Sequence, residues 1–143
     1  MADAPIIITS HNRFGSDLAD IDSAPADPHA LLARWLPPNA DELRPLMTLS
    51  TLGEDGYPDS RHLLLSAYDG EGLHFHTDSR TRKAAQIDRD GRVALALVWV
   101  EIGRQLTVVG DAERVSDEEA ALAFRKRSRY LQLLAWLNTA EVA

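Results

Sequence analysis

From residue 46 onward the chain sets short apolar runs between turn residues. The run "LMTLSTL" (46–52) alternates apolar and polar positions; the turn "GEDG", the run "SRHLLLSAY" (60–68), the turn "DGEG" and the run "LHFHT" (73–77) follow it. A period of two predicts strands with one face on a core, and Gly- and Asp-rich turns predict hairpins between them. "RVALALVW" is apolar at almost every position, the pattern of a strand covered on both faces, and "RQLTVVGDAERV" predicts one more long strand. Between them and the hairpins, "SRTRKAAQID" (79–88) predicts a helix with Ser79 as its N-cap.

Helices are also predicted at both ends of this strand-rich stretch. In "DPHALLARWL", Pro28 sits at a helix start behind Asp27, and Leu31, Leu32, Trp35 and Leu36 recur at helical spacing until Pro37 and Pro38 stop it. Ser116 with Glu119 three residues on is a capping box that opens a last helix from about residue 117. A second can follow it, carrying Leu131, Leu134 and Leu137. Residues 9 to 28 are polar and without period, which predicts a flexible arm over 1–26 and one domain over 27–143. Five or six antiparallel strands with peripheral helices make an α+β chain, mainly antiparallel β, built around a small barrel or strongly curled sheet.

Composition narrows the class. Apolar residues are 45% of 143, an ordinary globular share, and "VALALVWV" is far too short to span a membrane. There is no cysteine and no basic leader before the first apolar patch, so a soluble cytoplasmic protein is expected. A net charge of −7 argues against a nucleic-acid partner. That charge is uneven: residues 1 to 43 hold seven acids against two arginines, which leaves Arg61, Arg80, Arg82 and Lys83 as a local basic excess in a nearly neutral remainder.

With Ser79 as N-cap, Arg80, Arg82 and Lys83 share the first helical turn, where the macrodipole disfavours each cation by ~0.3 to 1 kcal/mol. A bound phosphate reverses that cost, because it takes the free backbone N–H groups and the side chains together. Any one of these cations is more simply a solvated surface group. Three in one turn, with Arg61 and Thr77 expected beside them across a hairpin, favour the phosphate. In "HFHTD" a strand would set His74, His76 and Asp78 on one face, a spacing a metal could use. Packed or hydrogen-bonded histidines are the simpler reading, and no metal is expected. No serine lies in a nucleophile elbow, and Asp117, Glu118 and Glu119 suit a helix start without a catalytic role.

The segments "DPHALLARWL", "MTLSTLGEDGYPDSRHLLLSAYDGEGLHFHTDSRTRKAAQI", "RVALALVW", "RQLTVVGDAERVS" and "AW" at 135–136 follow one another as in the pyridoxamine 5'-phosphate oxidase family, which the chain resembles over about residues 27 to 137. The resemblance implies a six-stranded split β-barrel and a homodimer with FMN in each of two clefts between subunits. It places the FMN phosphate on Arg61. It sets Leu63 and Leu64 along the flavin, within the strand Arg61, His62, Leu63, Leu64, Leu65, Ser66. It puts His76 and Thr77 where the family has Tyr-Thr, Thr81, Arg82 and Lys83 where it has Ser-Arg-Lys, and Gln105 on the Gln that reaches the flavin across the dimer interface.

The departures lie on the substrate side. Ser66 stands where the family has a Lys, and Ala123, Arg127 and Leu131 stand where it has Tyr, Arg and Ser. The family's Gln-Ser pair falls on Ala140 and Glu141, and its C-terminal Trp and Arg lie beyond Ala143. The resemblance therefore implies an FMN-dependent oxidoreductase acting on a small molecule other than pyridoxamine phosphate, with Arg127 the one retained substrate contact. A deazaflavin-dependent reductase of the same fold is the alternative within enzymes. A protein that holds flavin or another phosphorylated ligand without turnover is the alternative outside them.

Overall fold

The computed structural model describes residues 25–41, 43–100, 103–130 and 132. Three helices, α1 (Pro28–Trp35), α2 (Arg82–Arg89) and α3 (Asp117–Lys126), accompany six strands: β1 (Leu46–Leu52), β2 (Pro58–Leu64), β3 (Ala67–Tyr68), β4 (Leu73–His74), β5 (Arg92–Trp99) and β6 (Arg104–Asp111). Four strands pair antiparallel in the order β2-β1-β5-β6, and β3 pairs with β4 in a separate hairpin. The arm expected over 1–26 and the helix expected to carry Leu131, Leu134 and Leu137 lie almost wholly outside the described residues.

The alternation in the sequence explains the core. On β1, Met47, Leu49 and Thr51 face inward and are at most 1% exposed. From β5, Leu95 and Leu97 join them, with Leu106 and Val108 of β6 packed against this cluster. Leu36, the C-cap of α1, and Leu65 close it. Between β1 and β2 the "GEDG" turn closes with Gly53 N–H donating to the Tyr57 carbonyl at 2.8 Å, and Gly56 takes a φ of 81° that a residue with Cβ rarely adopts.

Four predicted boundaries move. The run 60–68 is not one strand: β2 ends at Leu64, and Leu65 turns fully into the core with its N–H on the Pro45 carbonyl at 2.9 Å. The run 73–77 pairs only at Leu73 and His74, and β6 stops at Asp111, short of 115. Most consequential, α2 is capped by Thr81 rather than Ser79. The Asp78 carboxylate takes the Arg80 backbone N–H at 2.8 Å, and the Thr81 hydroxyl donates to the Asp78 carbonyl at 2.8 Å, so residues 78–80 form a turn and the helix opens two residues later. The capping box at Ser116 and Glu119 is formed as predicted.

Among the described residues, no element packs on the opposite face of the four-stranded sheet. Leu46, Leu64, Val98 and Val109 lie on it and are 40% to 79% exposed. Cross-strand pairing sets Leu46 opposite Leu64 and Val98 opposite Gln105, so these side chains share one surface with His62, Thr48 and Ala96. The second covered face expected of "VALALVWV" is thus bare among the described residues.

Candidate functional site

The later start of α2 changes the basic corner. Arg80 lies outside the helix, and its guanidinium is paired with Asp78 at 2.9 Å. The first turn holds two cations, Arg82 and Lys83. Thr81 makes no side-chain capping bond, so the turn keeps backbone N–H groups with no side-chain cap among the described residues. Thr77 stays at this end of the helix through a hydroxyl contact with Thr81 at 3.2 Å. Pairing does not carry Thr77 to Arg61, because β2 pairs with β1 and the β3–β4 hairpin ends at His74.

Arg61 reaches the corner from beneath. Alternation on β2 turns Asp59, Arg61 and Leu63 toward the core and Ser60, His62 and Leu64 away from it. The Arg61 guanidinium donates to the Leu49 carbonyl at 3.2 Å, the Thr51 hydroxyl at 2.7 Å and Gln86 Oε1 at 3.0 Å, and it pairs with Asp59 at 3.0 Å. Gln86, 7% exposed, also accepts from the Thr51 hydroxyl at 2.6 Å and donates to Asp59 at 3.1 Å. The Gln86 hydrogen bond above all, then Arg61 and Arg82, hold the Asp59 carboxyl below its ordinary value against the effect of burial.

Lys83 is the uncommitted cation. It makes no hydrogen bond or ion pair with the described residues, and burial, then the neighbouring Arg61 charge, push its ammonium below the ordinary value. The acid that acts on it, Asp78, is already bound to Arg80. Lys83 thus adds a positive charge that acts on that of Arg61, at a helix N-terminus that Thr81 does not cap, an arrangement a phosphate monoester fits.

The remaining predicted residues divide into two groups. His76 is half-buried; burial, then the charges of Arg127 and His74, hold its imidazole below the ordinary value. The Arg127 side chain has no partner among the described residues, and burial lowers its pKa. His74 bonds Asp69 at 2.7 Å and Asp78 bonds Arg80, so the residues of "HFHTD" are turned to separate partners. The Ser66 N–H donates to the His74 carbonyl at 2.7 Å, and His62 lies on the bare sheet face, 3.1 Å from the Thr48 hydroxyl. Gln105 is on the same bare face, on β6. Three strand spacings, roughly 14 Å, separate β6 from β2, and the two side chains leave opposite faces of the sheet, so Gln105 does not join Arg61 within one chain.

Asp59, Thr51 and Gln86 are the residues sequence reasoning missed. Asp59 carried a signal, since it lies two residues before Arg61 on the same strand face. Gln86 carried a weaker one, a lone amide among the inward positions of a helix.

Residues 38–143 match the pyridoxamine 5'-phosphate oxidase family. A pyridoxine/pyridoxamine 5'-phosphate oxidase from Escherichia coli is 39% identical over 117 residues, covering 80% of this chain and 54% of its own. The chain therefore spans about half the length of the curated relatives it matches. Among solved structures, PhzG from Burkholderia lata 383 in complex with tetrahydrophenazine-1-carboxylic acid superposes with a TM-score of 0.68 at 27% identity, over 81% of this chain and 59% of that one. An F420 reductase superposes at 0.51 with 28% identity, over 59% of this chain and 68% of that one. These neighbours have the split-barrel fold, to which this chain's mainly antiparallel strands belong, the described ones forming a four-stranded sheet and a separate hairpin.

Proposed function

The chain belongs to the pyridoxamine 5'-phosphate oxidase family, and on that premise we propose that it is an FMN-binding oxidoreductase that acts on a small molecule other than pyridoxamine phosphate. The observation that carries the reading is Lys83, a partly buried ammonium without a partner among the described residues, under the influence of the Arg61 charge at the start of α2, which Thr81 does not cap. The residues fit a flavin phosphate: Lys83, Arg82 and the first-turn amides would hold it, with Thr77 beside them and Arg61 adding charge from below. FMN, when bound, supplies two-electron hydride chemistry, and no side-chain nucleophile is needed for it.

The site is completed by a second copy. Leu63 and Leu64 at the edge strand would lie along the flavin, while Gln105, roughly three strands away, would serve the flavin of the partner. The bare face carrying Leu46, Leu64, Val98 and Val109 supports this homodimer, because such a patch is costly to leave in water.

On the substrate side, Ser66 and Ala123 replace the family's Lys and Tyr, and Arg127, whose charge acts on His76, remains as a cation without a partner among the described residues. This set favours a substrate with a single anionic group over one bearing a phosphate dianion. The ring carboxylic acid bound to the Burkholderia relative supports a flat, carboxylated ring. The neighbouring F420 reductase supports a second reading, a deazaflavin in the same corner.

The test is the visible spectrum of the purified protein followed by titration with FMN, riboflavin and a deazaflavin. Flavin bands, or FMN binding far tighter than riboflavin binding, are expected. A colourless protein that takes up no FMN overturns the proposal, and one that takes only the deazaflavin moves it to the second reading.

A further inference from the structure

The cations of the corner are not all available to a ligand. The Asp59 carboxylate already takes Arg61 Nη2 at 3.0 Å, Arg82 Nε at 3.0 Å and Gln86 Nε2 at 3.1 Å. Its importance differs for the two guanidiniums. Arg61 has three other acceptors, the Leu49 carbonyl, the Thr51 hydroxyl and the Gln86 amide oxygen, and these hold its orientation without any charge. Arg82 has a side chain 79% exposed and, among the described residues, is tethered by Asp59 alone, Nε to one carboxylate oxygen and Nη2 to the other at 3.5 Å.

A phosphate at the start of α2 and the carboxylate of Asp59 therefore want the same guanidinium, and the two anions repel each other across it. We propose that Asp59 is a specificity-determining residue of the corner, a built-in competitor that occupies Arg82 in place of a phosphate. It weakens the site for phosphorylated ligands and leaves ligands without a phosphate untouched. With Asp59 in place, Arg61, Arg82 and Lys83 carry an excess of two positive charges, matched to one phosphate dianion, and a ligand's phosphate displaces an internal anion as it enters. The inference rests on the corner being the phosphate site and goes beyond that reading in naming what limits its affinity.

Asp59→Asn tests it, because the amide keeps an acceptor oxygen for Gln86 and Arg61 while losing the charge. FMN, riboflavin and inorganic phosphate are titrated into the full chain, the last followed by the amide resonances of α2. The unmodified protein, Asp59→Asn, Arg82→Gln and the double variant are compared, with Asp59→Ser as a second neutral replacement. FMN and inorganic phosphate are expected to bind about fivefold tighter to Asp59→Asn, the scale of one released exposed ion pair. Riboflavin affinity is expected to stay the same, and the gain to disappear in the Arg82→Gln background.

Weaker or unchanged FMN and phosphate binding in both neutral variants overturns the proposal, since Asp59 is then an organiser or a bystander. Equal tightening of riboflavin, or a full gain without Arg82, also overturns it. If FMN binds neither protein while inorganic phosphate still tightens on Asp59→Asn, the cofactor reading fails and the competitor stands. If inorganic phosphate binds to none of the proteins, both fall.

Discussion

Arg61 and Lys83 carry the same charge into the same corner, and the structure predicts opposite consequences for removing them. Arg61→Met deletes a guanidinium that is 19% exposed and bonded to Leu49, Thr51, Gln86 and Asp59. Thr51 and Gln86 keep each other at 2.6 Å, and Asp59 keeps Arg82 and Gln86, so the loss is smaller than four independent bonds. Breaking a buried pair costs ~3 to 5 kcal/mol; discounting for the partial exposure of both partners gives ~2 to 4.

Lys83→Met deletes a cation with no bond to lose and relieves its repulsion with Arg61, so its effect on unfolding is within ~0.5 kcal/mol and tends to stabilise. FMN binding reverses the order for Lys83. Losing a charge-assisted bond to phosphate costs ~1.5 to 3 kcal/mol, roughly 10- to 100-fold in affinity. Urea unfolding of the ligand-free variants and FMN titration by fluorescence read the two effects separately. Equal destabilisation by the two substitutions would refute the reasoning, because Lys83 would then have an internal partner.

The remaining predictions use other parts of the molecule. Since the Lys83 ammonium lies below its ordinary 10.5 in the free protein and phosphate favours its charged form, FMN affinity is expected to be full near neutrality. It should then be lost as pH rises through the depressed value, and a titration series in Lys83→Met should show no such fall. Val98→Asp puts a charge on the exposed sheet face and is expected to give monomers with weakened FMN binding, read by sedimentation and spectrum; an intact dimer contradicts the proposed interface. FMN-loaded protein is expected to make no measurable pyridoxal phosphate from pyridoxamine phosphate, and turnover near ~1 per second would show the substitutions at Ser66 and Ala123 to be harmless. Ser116→Ala removes the formed capping box of α3 and is expected to cost ~1 kcal/mol in thermal unfolding.

Legibility in the sequence followed the strength of the local pattern. β1 and β5 fall on the predicted bounds because alternation and continuous apolarity each say one thing along their whole length. The 60–68 run misled because Leu63, Leu64 and Leu65 are consecutive apolar letters; a core contact by Leu65 breaks the strand there, and no local pattern marks that contact. The start of α2 misled for a different reason. Ser79 is a good cap in isolation, but Asp78 captures the Arg80 amide first, and two competing side-chain-to-backbone bonds within three residues are settled by fractions of a kcal/mol.

The site was legible as a set of cations and illegible as a division of labour among them. A guanidinium has five N–H donors, and four of Arg61's are spent on Leu49, Thr51, Gln86 and Asp59, which leaves one for any ligand. The family resemblance names Arg61 a phosphate ligand, yet on the proposed reading the main grip on a phosphate would come from Lys83, Arg82 and the first-turn amides of α2. Arg61 acts mostly at one remove, holding Gln86 and Asp59 in register with β1. What separates the two kinds of cation is the register of β1 on β2, which sets Leu49 opposite Arg61, together with the packing of α2 that buries Gln86 over Thr51. Both are pairings between residues far apart in sequence, so the run "SRTRK" can announce an anion site without saying which of its charges is free to bind one.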